Sequence, residues 1–393
     1  MMESLWLFPP TYPMPHHAVD VLILSTYEGH HSIASSIADT LRHAGISCHV
    51  AVCPDRIFPV YRFFVRYRPS VLRMFYDLLG VPLFRRLVWL RLRWEYTGTL
   101  FSLLERHSPR LLISTNYAFE ASIDRYRARI HVPYVNIVTD PRTYFLVNLS
   151  RVADVNCVFD EHIAALCRGR EARSRVRVTG WFVRKHFTEA PDKAQVRERL
   201  GLERDPFTIF LAAGWEGSNQ VLKILPALLR VHSPVQIVVA CGNNKRMRRL
   251  VTGIAGSPRE PGACVRLIAL PFIRSIHRYM QAADLVVGKA GPNMLFESVA
   301  TGTPFFAITH NHGQEDGNLD IIRDHRLGLV EENPWRARRM LRAIVERPET
   351  LAPYLEPVRS LARVNRASGE AIIDIARDLL SRSAIAGRGS GAC

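Results

Sequence analysis

The sequence predicts an α/β fold built as two parallel-sheet domains. Three observations carry that prediction. Short apolar runs alternate with helical stretches in both halves of the chain, the pattern of βαβ units. A length of 393 residues suits two domains, and 48% hydrophobic residues are ample for their cores. No run of 18 uncharged apolar residues occurs, so no membrane-spanning helix is predicted.

Residues 1–17 are rich in proline and lack the charged start of a signal peptide, so an irregular arm is expected there. The first domain is drawn over residues 18–187. It opens with the buried strand Val19–Ser25, a turn over 26–32, a helix from Ile33 to Ala44 stopped by Gly45, and a strand from Ser47 to Val52. The turn carries His30 and His31. Histidine titrates near neutral pH and suits proton transfer; a plain surface turn that caps a helix would look the same. Further on come a strand over 110–115, a helix from Ala118 to Arg129, and a strand from Tyr134 to Thr139 that ends in Asp140. Asp140 closes that strand at the ligand edge of the sheet, where it could support a histidine or simply cap the strand.

Residues 56–110 hold eleven arginines, no lysine, three acids and twelve aromatics. Arg66, Arg68, Arg85, Arg86, Trp89, Arg91, Arg93 and Trp94 mix cationic and large apolar side chains at roughly helical spacing. Helices of that kind bind at the membrane interface, where each cation near an anionic leaflet adds about 1 kcal/mol. Basic stretches with interleaved aromatics also bind nucleic acid, but no nucleic-acid motif is present. A buried helical subdomain with arginines at its rim is the plain structural alternative.

The second domain is drawn over 188–356. Its strand Phe207–Ala213 runs into Gly214-Trp215-Glu216-Gly217, and its strand Val265–Ala269 into Leu270-Pro271-Phe272-Ile273. Val286–Ser298 then reads as strand, glycine turn and helix, with Gly291 in the turn, Pro292 at the first helical position and Asn293 as first-turn cap. A helix start of that kind holds anions through its free N–H groups and its dipole. Glu297, one turn further in, would suit the paired hydroxyls of a ribose. A polar loop, His310-Asn311-His312-Gly313-Gln314-Glu315-Asp316, follows the strand Pro304–Thr309. A nucleotide on the first turn and a polyhydroxyl group on the second would together make a nucleotide sugar. A helix over 357–382 and a Ser/Ala/Gly-rich, unstructured tail over 383–393 close the chain.

The stretch KAGPNMLFESVATGTPFFAITHNHGQEDGN resembles the donor half of the family 28 glycosyltransferases. Within them it is most similar to the monogalactosyl- and glucosyl-diacylglycerol synthases, with the lipid II-forming N-acetylglucosaminyltransferase as a more distant relative. The resemblance implies a GT-B fold of two Rossmann-like domains facing a cleft. It implies that Glu297 binds ribose, Gln314 and Glu315 the hexose, and Phe272 and Ile273 the base. The loop with Gly214, Glu216 and Gly217 would face the donor phosphates. The relatives' glycine turn S-D-T-G-G-G-H-R, aligned on Ser25, implies His31 as catalytic base; a T-D similar to theirs ends in Asp140, which could support His31 or cap its strand. The chain departs from the pattern at Asn293 and Met294, at Pro271, in the turn at 26–32, and after Asp140. The implied activity is metal-independent, inverting transfer of a hexose from a UDP-sugar to a lipid hydroxyl, with no cofactor and no nucleic-acid partner. A UDP-sugar epimerase and a non-catalytic membrane-binding relative are the alternatives.

Composition agrees with an anionic partner: the net charge is +16 and the pI near 10.0. Seven scattered cysteines without C-x-x-C spacing suit a reduced chain. The expected place is the cytoplasmic side of a membrane, peripherally bound.

Overall fold

The structure is a computed structural model that describes residues 18–26, 29–53, 74, 77–143, 148–168, 175–212, 220–257 and 264–389, with side chains up to residue 382. The expected arm over 1–17, Arg66, Arg68, and the loop with Gly214, Glu216 and Gly217 lie outside the described residues.

Twelve described strands form two parallel six-stranded sheets. The first contains β1 (Val21–Ser25), β2 (Cys48–Val52), β3 (Leu111–Ser114), β4 (Tyr134–Ile137), β5 (Val155–Val158) and β6 (Arg175–Val178), in the order β2-β1-β3-β4-β5-β6. The second contains β7 (Phe207–Ala212), β8 (Val235–Ala240), β9 (Val265–Leu270), β10 (Leu285–Lys289), β11 (Phe305–Thr309) and β12 (Gly328–Val330), in the order β12-β11-β10-β7-β8-β9. Central strands such as β1 are apolar along their whole length because helices cover both faces. The order reverses beside β1 in one sheet and beside β7 in the other, and such switch points open crevices at the carboxyl ends of the strands.

The helices are α1 (Gly29–His43), α2 (Pro82–His107), α3 (Glu120–Tyr126), α4 (Glu161–Arg168), α5 (Lys185–Thr188), α6 (Lys193–Arg199), α7 (Gln220–Leu228), α8 (Lys245–Ala255), α9 (Ile276–Ala282), α10 (Pro292–Ala300), α11 (Asp316–Asp324), α12 (Pro334–Glu346) and α13 (Ala352–Gly389). Two of them differ from expectation. Helix α1 starts at Gly29, four residues before Ile33, so His30 and His31 sit in its first turn and not in a loop. Contacts from other elements hold that turn: Asn293 bonds the Gly29 carbonyl and His30 bonds Thr115. Helix α13 runs to Gly389, so the backbone of 383–389 continues the helix where an unstructured tail was expected. Extending an existing helix needs no new nucleus, and Ala384 and Ala386 favour it.

One apolar core joins the two sheets. Phe296 of α10 lies between Phe159 (ring centroids 4.7 Å apart) and Trp181 (4.8 Å, stacked). Ile33, Ile37 and Leu41 of α1 belong to the same core, as do Leu361, Ile372, Ile375 and Leu379 of α13. Helix α13 thus packs back on the first sheet, where Trp181 N donates to Asn365 Oδ1 at 2.9 Å and Arg110 to the carbonyl of Leu380 at 3.3 Å.

Candidate active site

The site grows from the end of β10. The register between β10 and β11 shifts between Gly288 and Lys289, at the end of the strand. Gly291 is extended (φ −71°, ψ 141°) and occupies the N-cap, and Pro292 takes the first turn as expected. Asn293 does not cap. It stands inside the helix, where its Nδ2 donates to the Gly29 carbonyl at 3.0 Å and its Oδ1 accepts from Trp181 Nε1 at 3.3 Å. The starts of α1 and α10, one from each sheet, therefore meet across the cleft.

Lys289, which sequence reading left without a role, lies beside this start. A side chain on Gly291 would stand 3.6 Å from its Nζ and 3.5 Å from Glu315 Oε1. Lys289 pairs with Glu315. Glu315 is buried and also accepts from the Asn311 backbone N–H at 2.7 Å, so its carboxylate braces the loop after β11 and does not stand open in the cleft. Asn318 of α11 donates to the carbonyl of Ala290 at 2.8 Å and ties that helix to the turn.

Glu297 is buried, and its Oε1 accepts from Arg184 at 2.9 Å. Burial pushes its carboxyl up, while Arg184 opposes the shift. Arg184 also went unassigned, although it is the arginine of the V-R segment that leads out of the first domain.

The loop after β4 in the first sheet reaches across to the second. Asp140 follows β4, accepts from Asn148, and is hydrogen-bonded by Gln314 from the opposite sheet. Burial raises its carboxyl to about 6. Next to it, Thr143 Oγ1 accepts from the Gly317 N–H at 2.7 Å. A Cβ on Gly317 would meet Arg142 Cβ at 2.6 Å, so only glycine lets α11 approach this closely. Arg142 pairs with Asp160 of its own sheet at 3.1 Å and with Asp324 at the end of α11.

The two histidines differ. His31 is exposed on α1, with Ser35 Oγ 3.4 Å from its Nε2, and it makes no hydrogen bond with Asp140. Of the two roles left open for Asp140, direct contact with His31 is not formed here: α1 begins at Gly29 and His31 lies on its exposed face. His30 is half-buried at the switch point between β1 and β3. Its Nδ1–H donates to the Thr115 carbonyl at 2.7 Å, so in the neutral ring the lone pair would be on Nε2. When the turn is taken as one residue shorter, Gly29-His30 falls on the G-H pair of the family pattern.

Phe272 is exposed and Ile273 half-buried at the carboxyl end of β9, on the same edge of the sheet as the α10 start.

Helix α2 carries an exposed apolar stripe: Leu83 (69% exposed), Leu87 (57%), Leu90 (52%) and Trp94 (74%), spaced as one helical face. Arg85, Arg86 and Arg91 are exposed beside it, Arg93 is half-buried, and the Arg91 guanidinium lies 5.1 Å from the Trp94 ring centroid. Trp89, grouped with these residues from sequence, turns instead toward the core with Val88. No helix among the described residues is long and apolar enough to cross a membrane.

Two parallel α/β sheets whose switch points face one another, bridged by a returning C-terminal helix, form a GT-B fold. Residues 209–330, from within β7 to the end of β12, match the glycosyltransferase family 28 C-terminal domain. Among curated proteins the chain is 27% identical over 306 residues to a probable monogalactosyldiacylglycerol synthase 2, chloroplastic, of Oryza sativa subsp. indica. That match takes in 73% of this chain and 62% of the relative, so less than two thirds of the plant protein's length is represented. It is 24% identical over 286 residues to a processive diacylglycerol beta-glucosyltransferase of Bacillus licheniformis, covering 73% of this chain and 72% of the relative. In three dimensions it is similar to Acinetobacter baumannii MurG, with a TM-score of 0.60 at 16% identity, over 93% of this chain and 100% of that one.

Proposed function

We propose that this chain is an inverting hexosyltransferase that moves a sugar from a UDP-sugar to a lipid hydroxyl at a membrane surface. The observation that supports the reading is the junction of α1 and α10 through Asn293 and Gly29, the residue next to His30; the start of α10 would be the anion site. The names of the relatives, both sugar transferases of diacylglycerol, support the acceptor class.

In this reading the donor diphosphate lies at the start of α10. Backbone N–H groups, the helix dipole and Lys289 offset its charge and that of the departing UDP, a role the reading does not give to a metal ion. Arg184 holds Oε1 of Glu297, which leaves Oε2 for the ribose hydroxyls. The main chain at Phe272 and Ile273 meets the base. Gln314 meets the hexose by exchanging its bond to Asp140, while Glu315 positions Lys289 and the loop. His30 takes the acceptor proton through Nε2 as the hydroxyl attacks the anomeric carbon from the face opposite UDP. Helix α2 lays its Leu83–Trp94 stripe on the bilayer with its arginines among anionic headgroups, which brings the acceptor to the first domain.

The test is incubation with labelled UDP-glucose, UDP-galactose or UDP-N-acetylglucosamine and a lipid extract, followed by chromatography of the organic phase. Label in a lipid product is expected with at least one donor. Conversion of the donor sugar with no labelled lipid would establish epimerase activity instead, and vesicle binding without any turnover a non-catalytic relative.

A further inference from the structure

His310, His312 and Asp316, none of which has a role in the reading above, each bring one ligand atom within 4.8 Å of the others. His310 stands just past the end of β11 with its side chain 6% exposed. Its Nε2 faces Asp316 Oδ1 at 2.7 Å and its Nδ1 faces Glu332 Oε1 at 2.6 Å. The His312 ring lies edge-on with its centroid 4.3 Å from that of His310. The Gly313 N–H donates to Asp316 Oδ1 at 3.0 Å and holds that carboxylate on the cluster.

We propose that His310, His312 and Asp316 bind a divalent transition cation of the zinc class. Two imidazoles and one carboxylate form a three-ligand set that leaves a fourth position for water or another oxygen. The second and independent sign is Glu332. An imidazole that ligates a metal through one nitrogen almost always gives its other N–H to a carboxylate or carbonyl, which fixes the ring. Glu332 makes that contact with His310 from beyond β12, outside the loop that carries the three ligands. Tetrahedral bonding needs the His310 nitrogen and the Asp316 oxygen about 3.4 Å apart. Their present contact is a direct hydrogen bond, so loading opens the pair by less than about 1 Å. Asp316, 49% exposed in the first turn of α11, has room for that rotation. The ion would cross-link both ends of the loop that carries Gln314 and Glu315, stiffening the segment in front of the α10 start.

The test uses the full chain, stripped with chelator and then titrated with zinc chloride in a calorimeter. Cobalt(II) absorbance gives a second readout that needs neither donor nor acceptor. One ion per chain is expected, with the intense visible bands of four-coordinate cobalt. His312→Ala and Asp316→Asn, both at exposed positions, should each weaken binding about tenfold or more. Glu332→Gln should weaken it about tenfold. Absence of uptake by the unaltered chain would overturn the proposal. So would uptake that the His312→Ala/Asp316→Asn double variant retains in full, because the ion would then sit on other histidines. Since no transfer reaction is measured, this proposal and the transferase reading can fail separately.

Discussion

The side-chain amide of Asn293 donates to the main-chain carbonyl of Gly29 at 3.0 Å and so joins the first turns of two helices that belong to different sheets. Its oxygen accepts from the Trp181 indole, whose ring stacks on Phe296 of the same helix. Asn293 thus sets the spacing between the proposed base and the proposed phosphate site. Asn293→Ala removes both bonds. We expect it to destabilise the chain by about 1–3 kcal/mol, the usual range for two partly buried hydrogen bonds. Donor affinity should fall with it. Urea unfolding measures the first effect, and an unchanged midpoint would mean that the two turns do not meet in solution.

His30 and His31 are adjacent in sequence but differ in surroundings. His30→Ala should lower kcat by about 100-fold or more while leaving the KM for the donor nearly unchanged, as expected for loss of a general base. His31→Ala should keep most of the activity, because His31 lies on an exposed helix face beside Ser35. Thr115 serves His30 through its carbonyl, so no side-chain substitution at 115 removes that bond directly. Wild-type turnover by His30→Ala together with a dead His31→Ala would return the assignment to His31.

Asp140 links pH to both stability and activity. Burial lifts its carboxyl from the ordinary 3.8 to about 6, so between those values the folded chain holds a proton that the unfolded chain has released. Its contribution to stability is therefore fully present below about 4 and is lost as the pH rises through 6. At pH 7.5 the buried carboxylate costs on the order of 2–3 kcal/mol. Asp140→Asn should relieve most of that cost, raise the melting temperature at pH 7.5, and flatten the stability profile between pH 4 and 6, while transfer activity falls. Equal melting temperatures for the two proteins at pH 7.5 would remove the argument that this carboxylate is held charged for function.

The exposed stripe on α2 makes a separate prediction about membranes. Full burial of a Leu or Trp side chain yields about 1.5–3 kcal/mol, so Leu87→Ser together with Trp94→Ser should weaken binding to anionic vesicles by about 100-fold. Binding by the unaltered chain should weaken as salt rises, because the neighbouring arginines act through a screened field. Vesicle sedimentation reads both effects. Tight, salt-insensitive binding to neutral vesicles, or a double variant that binds as well as wild type, would exclude α2 as the contact.

Much of the fold was legible because burial on both faces leaves a local mark. Val21–Leu24 and Leu285–Val287 are continuous apolar runs, and no partner needs to be known to read them as inner strands. The Gly291-Pro292 turn was equally readable, since an N-cap glycine and a first-turn proline act within two or three residues of themselves. Helix starts and side-chain directions were less accessible. The first turn of α1 is low in intrinsic helix propensity, and its placement at Gly29 depends on bonds from Asn293 and to Thr115, which lie 264 and 85 residues away. Trp89 and Trp94 sit on one amphipathic stretch, and their opposite fates follow from which side of α2 the first sheet covers.

By itself, then, the chain of residue types determined the order of strands and helices, the anion-seeking helix start, and the concentration of cation and aromatic side chains in one segment. All of these arise from interactions a few residues long. Only the tertiary structure decided that His30 is held against Thr115 while His31 is exposed, that Arg184 holds Glu297, that Lys289 stands beside Gly291, and that His310 is gripped by both Asp316 and Glu332. Each of those relationships sets the direction of a side chain relative to a distant backbone. Direction is decided when sheets and helices close on one another, and no local pattern encodes it.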